Sequence, residues 1–315
     1  MRARRGAVVR LLVLAALAGV AVTTSAGCGG DSRGAAPPEE TETEAAAPPP
    51  EPTPPPPTPV PTVPMSWKAA GAFVWHETDI APEELGRQMR EAGFGWVAVF
   101  LHDGLTEDPV EGDWVNRFRS ASGLAVGGWG ALRSEPAHEA ALADALLERY
   151  GLEFYIANAE AEYFFSGPEG FSPERFGRSR TFVDAFRRLR PELFAGLSSY
   201  CRPDLQDLDW GAWSDTGFAF LPQAYVNDFG PEVAPAVCAA AARGAFSPDS
   251  VHPTIGMYPG VTKSLPVERY ARLLARAETV GFSVYLAETR MTEEGWHALG
   301  EAIGTMGIAT YAVPS

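Results

Sequence analysis

The sequence is short of cysteine, of basic charge and of long apolar runs. It holds three cysteines, Cys28, Cys201 and Cys238, at no spacing that resembles a structural zinc site. It carries 25 Lys and Arg against 40 Asp and Glu, a net charge of −15. Nucleic acid and anionic lipid are poor partners for such a surface, because phosphate contacts need clustered Lys and Arg. Several chemistries lack their signatures too: there is no Gly-x-Ser-x-Gly elbow, no Walker-type loop and no His-Glu-x-x-His. No cofactor is expected. A metal gathered by His76, His102, Glu160 and Glu288 is the weaker alternative to no metal at all.

The apolar run Leu11 to Val22 carries no charge and follows the basic start Met1-Arg2-Ala3-Arg4-Arg5. Its twelve residues fall short of the roughly 20 that a bilayer needs, and small residues follow at once. That layout predicts a signal peptide over residues 1–27. The ending Thr24-Ser25-Ala26-Gly27-Cys28 resembles the lipobox of bacterial lipoproteins in its small-small-Cys close. Lipidation at Cys28 is therefore the expectation, with cleavage after Ala26 and secretion as the alternative. More than one acyl chain, at about 0.8 kcal/mol per buried methylene, makes such an anchor durable. Residues 28–64 then read as a disordered tether rich in Pro, Glu and Thr, without an aromatic residue; 13 of the 28 prolines lie between Asp31 and Pro64. Such a stretch cannot bury a core. Held in polyproline conformations at about 3.1 Å per residue, it reaches on the order of 80 to 90 Å.

Residues 65–315 form the folded part. Short apolar runs bounded by Gly, Pro or Asp alternate there with stretches of helical period. The predicted strands are Gly71 to His76, Trp96 to Leu101, Leu124 to Trp129, Glu153 to Glu160, Phe194 to Tyr200, Phe218 to Tyr225, His252 to Tyr258 and Phe282 to Glu288. Cap residues open the predicted helices: Pro82 before Leu85 and Met89, Ser172-Pro173 before Phe176, Val183 and Phe186, Ser264 and Pro266 before Tyr270 and Leu273, Thr292 before Trp296 and Leu299. Strand and helix alternating eight times predict an α/β fold, a (β/α)8 TIM barrel. An open doubly wound sheet would show a glycine turn for phosphate after its first strand, and Gly71-Ala72-Phe73-Val74-Trp75-His76-Glu77 has none. Met306 to Val313 also reads as a strand and finds no slot in an eightfold count.

Reactive groups of such barrels stand at the carboxyl ends of the strands. The residues there are His76, His102 with Asp103, Trp129, Asn158 with Glu160 and Glu162, Tyr200, Gln223 with Tyr225, Tyr258 and Glu288. Along Glu153 to Glu162 the side chains alternate, so Ile156, Asn158, Glu160 and Glu162 share one face and Ala157, Ala159 and Ala161 the other. The alanines suit close packing by helices, which assigns the polar set to the lumen. An inward carboxylate is costly unless paired, hydrated or protonated. Glu160 is thus a functional candidate, with a structural ion pair as the alternative. Glu288 ends the last strand on the face of Val284 and Leu286. Two such carboxyls, roughly 5 to 9 Å apart, are what a glycosidase needs. Trp129, Tyr200, Tyr225 and Tyr258 have faces that suit a pyranose ring and, for the tyrosines, tips that suit its hydroxyls. Cys201 and Cys238 are free to form a disulfide or to remain buried thiols.

The domain resembles glycosidase-type barrels, most nearly the family 25 glycoside hydrolases, the lysozyme-like muramidases. Asn158-Ala159-Glu160 stands where those enzymes carry Asp-x-Glu, and Pro222-Gln223-Ala224-Tyr225 is similar to their sixth-strand Gln-x-Tyr. The resemblance implies Glu160 as the acid and Gln223 and Tyr225 as cleft residues; Asn158 takes the place of the acidic partner. The expected function is a surface-tethered, monomeric protein of glycoside-hydrolase type acting on envelope or environmental polysaccharide, with Glu288 or Glu162 as second carboxylate. Asn158, Trp129, Gln223, Tyr225, Tyr258, Tyr200, His102, Asp103 and His76 are its expected substrate contacts. The rival expectation is a non-catalytic carbohydrate-binding or scaffold barrel.

Overall fold

The computed structural model divides the chain into two units, residues 1–55 and 56–315. The described residues all lie in the second: 65–75, 80–160, 173–202, 208–256, 269, 272–273, 276, 279, 281–285 and 293–305. The sites at Cys28, His76, Glu162, Tyr258 and Glu288 and the segment Met306 to Val313 fall outside them. No helix among the described residues is long and apolar enough to cross a membrane.

Among the described residues nine strands form one sheet: β1 Ala70–Val74, β2 Phe94–Asp103, β3 Thr106–Glu107, β4 Ala125–Ala131, β5 Phe154–Asn158, β6 Phe194–Tyr200, β7 Ala219–Gln223, β8 Thr254–Gly256 and β9 Ser283–Tyr285. Eight of them are parallel. Each pairs with its successor, and β1 pairs with both β2 and β9, so the barrel is closed. β3 is a two-residue antiparallel appendage on the end of β2. This is the TIM-barrel fold that the alternation predicts, and each of the eight predicted strands overlaps one barrel strand.

The helices are α1 Pro82–Glu91, α2 Trp114–Ser122, α3 Pro136–Tyr150, α4 Pro173–Leu189, α5 Trp210–Ser214, α6 Val226–Phe229, α7 Pro235–Ala242 and α8 Glu293–Thr305. α1 shows how local chemistry fixes them. Pro82 stands at its start, Glu83 and Glu84 in its first turn and Arg90 in its last, each matched to the helix dipole. Leu85 and Met89, one turn apart, are buried against the sheet. α3 stops at Gly151, whose φ of 60° is the left-handed cap that glycine accepts most readily.

Alternation along the strands separates two cores. Val97, Val99, Leu101, Tyr155, Ala157 and Ala159 join the layer between sheet and helices. Phe73, Trp96, Phe100, Trp129, Phe154, Ile156 and Phe194 fill the lumen. The rings fit because strand glycines make room: a Cβ on Gly71 would lie 1.9 Å from the Trp96 ring, and one on Gly127 2.3 Å from Phe154. At the end where the strands begin, the 3-10 turn Met65–Lys68 lays Trp67 into the barrel. Trp67 stacks on Trp96 at 5.1 Å and meets Phe194 at 4.6 Å and His252 at 4.7 Å. His252, fully buried, has its Nε2 3.1 Å from the Ala69 carbonyl, and burial lowers its pKa to about 4. The lumen is therefore a packed core closed at this end by an aromatic floor, and in such barrels the chemistry stands at the opposite, carboxyl end of the strands.

Candidate functional site

At the carboxyl end, β5 and β7 stop on amide side chains that converge on one carboxylate. Asn158 ends β5, and the backbone just beyond it is held from both neighbouring strands. The Leu132 N–H donates to the Asn158 carbonyl at 2.9 Å, and the Ala159 N–H donates to the Ser198 carbonyl at 2.9 Å. The buried Ser199 hydroxyl donates to the Ala159 carbonyl at 2.6 Å. Glu160 thus projects from an anchored backbone. Its Oε1 accepts from Gln223 Nε2 at 2.7 Å and from Asn158 Nδ2 at 3.1 Å. Gln223 Nε2 also donates to Asn158 Oδ1 at 3.0 Å, which closes a triangle of three side chains. Gln223 is buried, while Asn158 and Glu160 are half-buried. Among the described residues both hydrogen bonds on Glu160 fall on Oε1. Among the described residues no Arg or Lys bonds to Glu160.

The other expected contacts distribute differently. Trp129 is buried within the lumen, edge-on to Phe73 and Tyr285, with its indole N–H donating to the Val74 carbonyl at 3.3 Å. It supports the mouth from below instead of offering a free face. His102 does not line the mouth at all, which corrects its place among the substrate contacts. The ladder between β2 and β4 slips between Phe100 and His102, so His102 follows Leu101 to the helix side. There its ring nitrogens meet the Gly104 carbonyl and the Tyr155 hydroxyl, each at 2.8 Å. Burial lowers its pKa, so it is a neutral structural group with Nδ1–H donating and Nε2 accepting. Asp103 is exposed and ion-paired with Arg133.

Tyr200, Tyr225 and the disulfide Cys201–Cys238 form the flank beside Gln223. Tyr200 is the partner of Gln223 across β6 and β7. The disulfide is the centre of a small cluster with Ala224 and Val233, against which Val226 and Phe229 pack. Sequence reasoning missed Trp75, Phe229 and Tyr285, which complete the aromatic rim. The signal for Trp75 and Tyr285 was present, since each lies two residues beyond a lumen residue on the same strand face, Phe73 and Ser283. Phe229 had none, because it sits on a one-turn helix after β7. Among the described residues no group of three or more His, Cys, Asp or Glu is arranged to hold a metal.

No family model matches the sequence, and no curated protein does. Solved structures do match. The PgaB (BpsB) glycoside hydrolase domain of Bordetella bronchiseptica aligns at TM-score 0.55 and 12% identity over 78% of this chain and 99% of that one. A family GH18 chitinase of Cycas revoluta, in complex with allosamidin, aligns at TM-score 0.54 and 9% identity over 76% and 99%. A GH36 alpha-galactosidase, AgaA, of Geobacillus stearothermophilus aligns at TM-score 0.48 and 9% identity, with this chain spanning 41% of that length, too loosely to carry an argument. At these identities the likeness is one of fold: a glycoside-hydrolase-like TIM barrel, with nothing that singles out family 25.

Proposed function

We propose that the domain acts on a glycan, with Glu160 as the acid that protonates the leaving glycosidic oxygen. One observation carries the reading. A half-buried carboxylate at the carboxyl end of a closed barrel is gripped on one oxygen by the neutral amides of Gln223 and Asn158 and left unbonded to any described cation. A structural ion pair would place an arginine there; among the described residues two amides on one oxygen orient the group instead. The barrel's likeness to the PgaB domain and to the chitinase supports a saccharide as ligand class. Hydrolysis would need a second carboxyl, and Glu162 and Glu288 are the candidates by their places in the sequence just after the fourth and eighth parallel strands. The proposed setting is outside the membrane, on a lipid anchor at Cys28 and the tether of residues 28–64.

The test is turnover of peptidoglycan and a panel of soluble glycans by the purified protein and by Glu160→Gln. The expected loss is about 10²- to 10⁴-fold, the range for removing a general acid. Equal rates would remove Glu160 from the mechanism. Asn158, standing where an acidic partner is usual, favours a second reading, a glycan-binding barrel without turnover. Binding without product release, in wild type and Glu160→Gln alike, would establish it.

A further inference from the structure

The flank beside Gln223 is more elaborate than the barrel requires. Tyr200, at the end of β6, is half-buried and stands edge-on to Phe229 at 5.3 Å and 61°. Phe229, also half-buried, lies near-parallel to Tyr225 at 6.3 Å and 17°, and Tyr225 in turn to Tyr285 at 6.0 Å and 29°. The next residue in the chain after Tyr200 is Cys201, bonded to Cys238 of α7. That bond, with Ala224 and Val233, makes the small core on which Phe229 rests. Between Phe229 and α7 the chain turns at Gly230, with φ +91°. A Cβ there would lie 2.6 Å from Glu232 Oε2, so the Glu232 carboxylate is folded back over the turn. The charge of Glu232, after burial, contributes to raising the Tyr200 pKa, so the phenol keeps its proton at neutral pH and is both donor and acceptor.

We propose that Tyr200 and Phe229, backed by Tyr225 and flanked by Glu232, form a wall that binds a pyranose ring one sugar away from Glu160, and that the Cys201–Cys238 disulfide braces it. The inference rests on the glycan reading above. An aromatic face takes the C–H face of a sugar, and the Tyr200 hydroxyl and the Glu232 carboxylate supply a donor and acceptors for its hydroxyls. Adjacency follows from the ladder: Tyr200 is paired with Gln223, which touches Glu160. The brace follows from connectivity, because the disulfide ties the residue after Tyr200 to the helix after Phe229. Opening it frees both halves of the wall and leaves the eight barrel strands joined as before.

The experiment uses the full chain carrying Glu160→Gln, titrated calorimetrically with chitotetraose and cellotetraose, beside turnover kinetics of the same substitutions on the Glu160 background. Tyr200→Ala and Phe229→Ala should each weaken binding about tenfold, the upper range for losing one aromatic contact, and should raise KM more than they lower kcat. Tyr200→Phe, which keeps the ring, should retain most of the affinity. The paired substitution Cys201→Ser with Cys238→Ser, or reduction of the wild type, should weaken binding while far-ultraviolet circular dichroism still reports the barrel. Unchanged affinity and KM in Tyr200→Ala and Phe229→Ala, with turnover still lost in Glu160→Gln, would overturn the wall and leave the acid in place. Equal affinity in oxidised and reduced protein would overturn the brace. No binding and no turnover of any glycan by wild type would overturn wall and glycan reading together.

Discussion

Gln223 uses one amide nitrogen to hold two acceptors, Glu160 Oε1 at 2.7 Å and Asn158 Oδ1 at 3.0 Å, inside a buried position. Gln223→Met keeps the length and removes the donors. The protein should lose about 1 to 3 kcal/mol, the range for hydrogen bonds to neutral and charged acceptors, read as a lower urea midpoint at unchanged m-value. Turnover, where present, should fall through kcat, because the carboxylate is no longer oriented. The inward Asn158 and Glu160 were legible from alternation and the alanines opposite them, since a strand of period two leaves little choice. His102 was not. Counting from Phe100 by twos places it inside, but the slip in the ladder after Phe100 sends it outward to Tyr155. A bulge is a property of two strands together, and one strand's sequence does not carry it.

Whole elements were easier to read than their side chains. All eight parallel strands follow from short apolar runs between Gly, Pro and Asp, because a strand covered by the lumen on one side and helices on the other is apolar on both. β3 escaped notice because its two residues form only a polar hairpin end. The glycines were harder still: Gly71 and Gly127 look like weak points in strands, and only the packing shows that Trp96 and Phe154 occupy their missing side chains. Gly71→Ala should therefore cost about 1 to 3 kcal/mol or more through overpacking, visible as a lower Tm with the circular dichroism spectrum retained. The disulfide remained an open alternative in the sequence because two distant cysteines reveal nothing of their separation. It closes a loop across 37 positions, worth about 4 kcal/mol in a chain-entropy model. Its removal should lower the denaturation midpoint accordingly.

At the scale of the whole molecule, stability should depend on pH through His252. Its folded pKa of about 4 lies below the ordinary histidine value of 6.5. Above both values neither state binds the proton, and the residue leaves stability unchanged. As pH falls from about 6.5 toward 4 the unfolded chain takes up a proton that the folded barrel refuses, so stability is lost by an amount on the order of 3 kcal/mol. Urea midpoints for wild type and His252→Phe, taken at pH 7.5 and 4, should show a smaller drop in the variant. An equal drop in both would assign the acid sensitivity to other groups.

The Trp67 stopper gives the barrel a fixed polarity with respect to its own chain. Residues 65–68 sit at the closed base, where the Trp67 indole is wedged among Trp96, Phe194 and His252. The rim that carries Glu160 lies at the other end of the strands from this indole, so a substitution that loosens Trp67 should disturb the base of the barrel while the grip of Gln223 and Asn158 on the carboxylate persists.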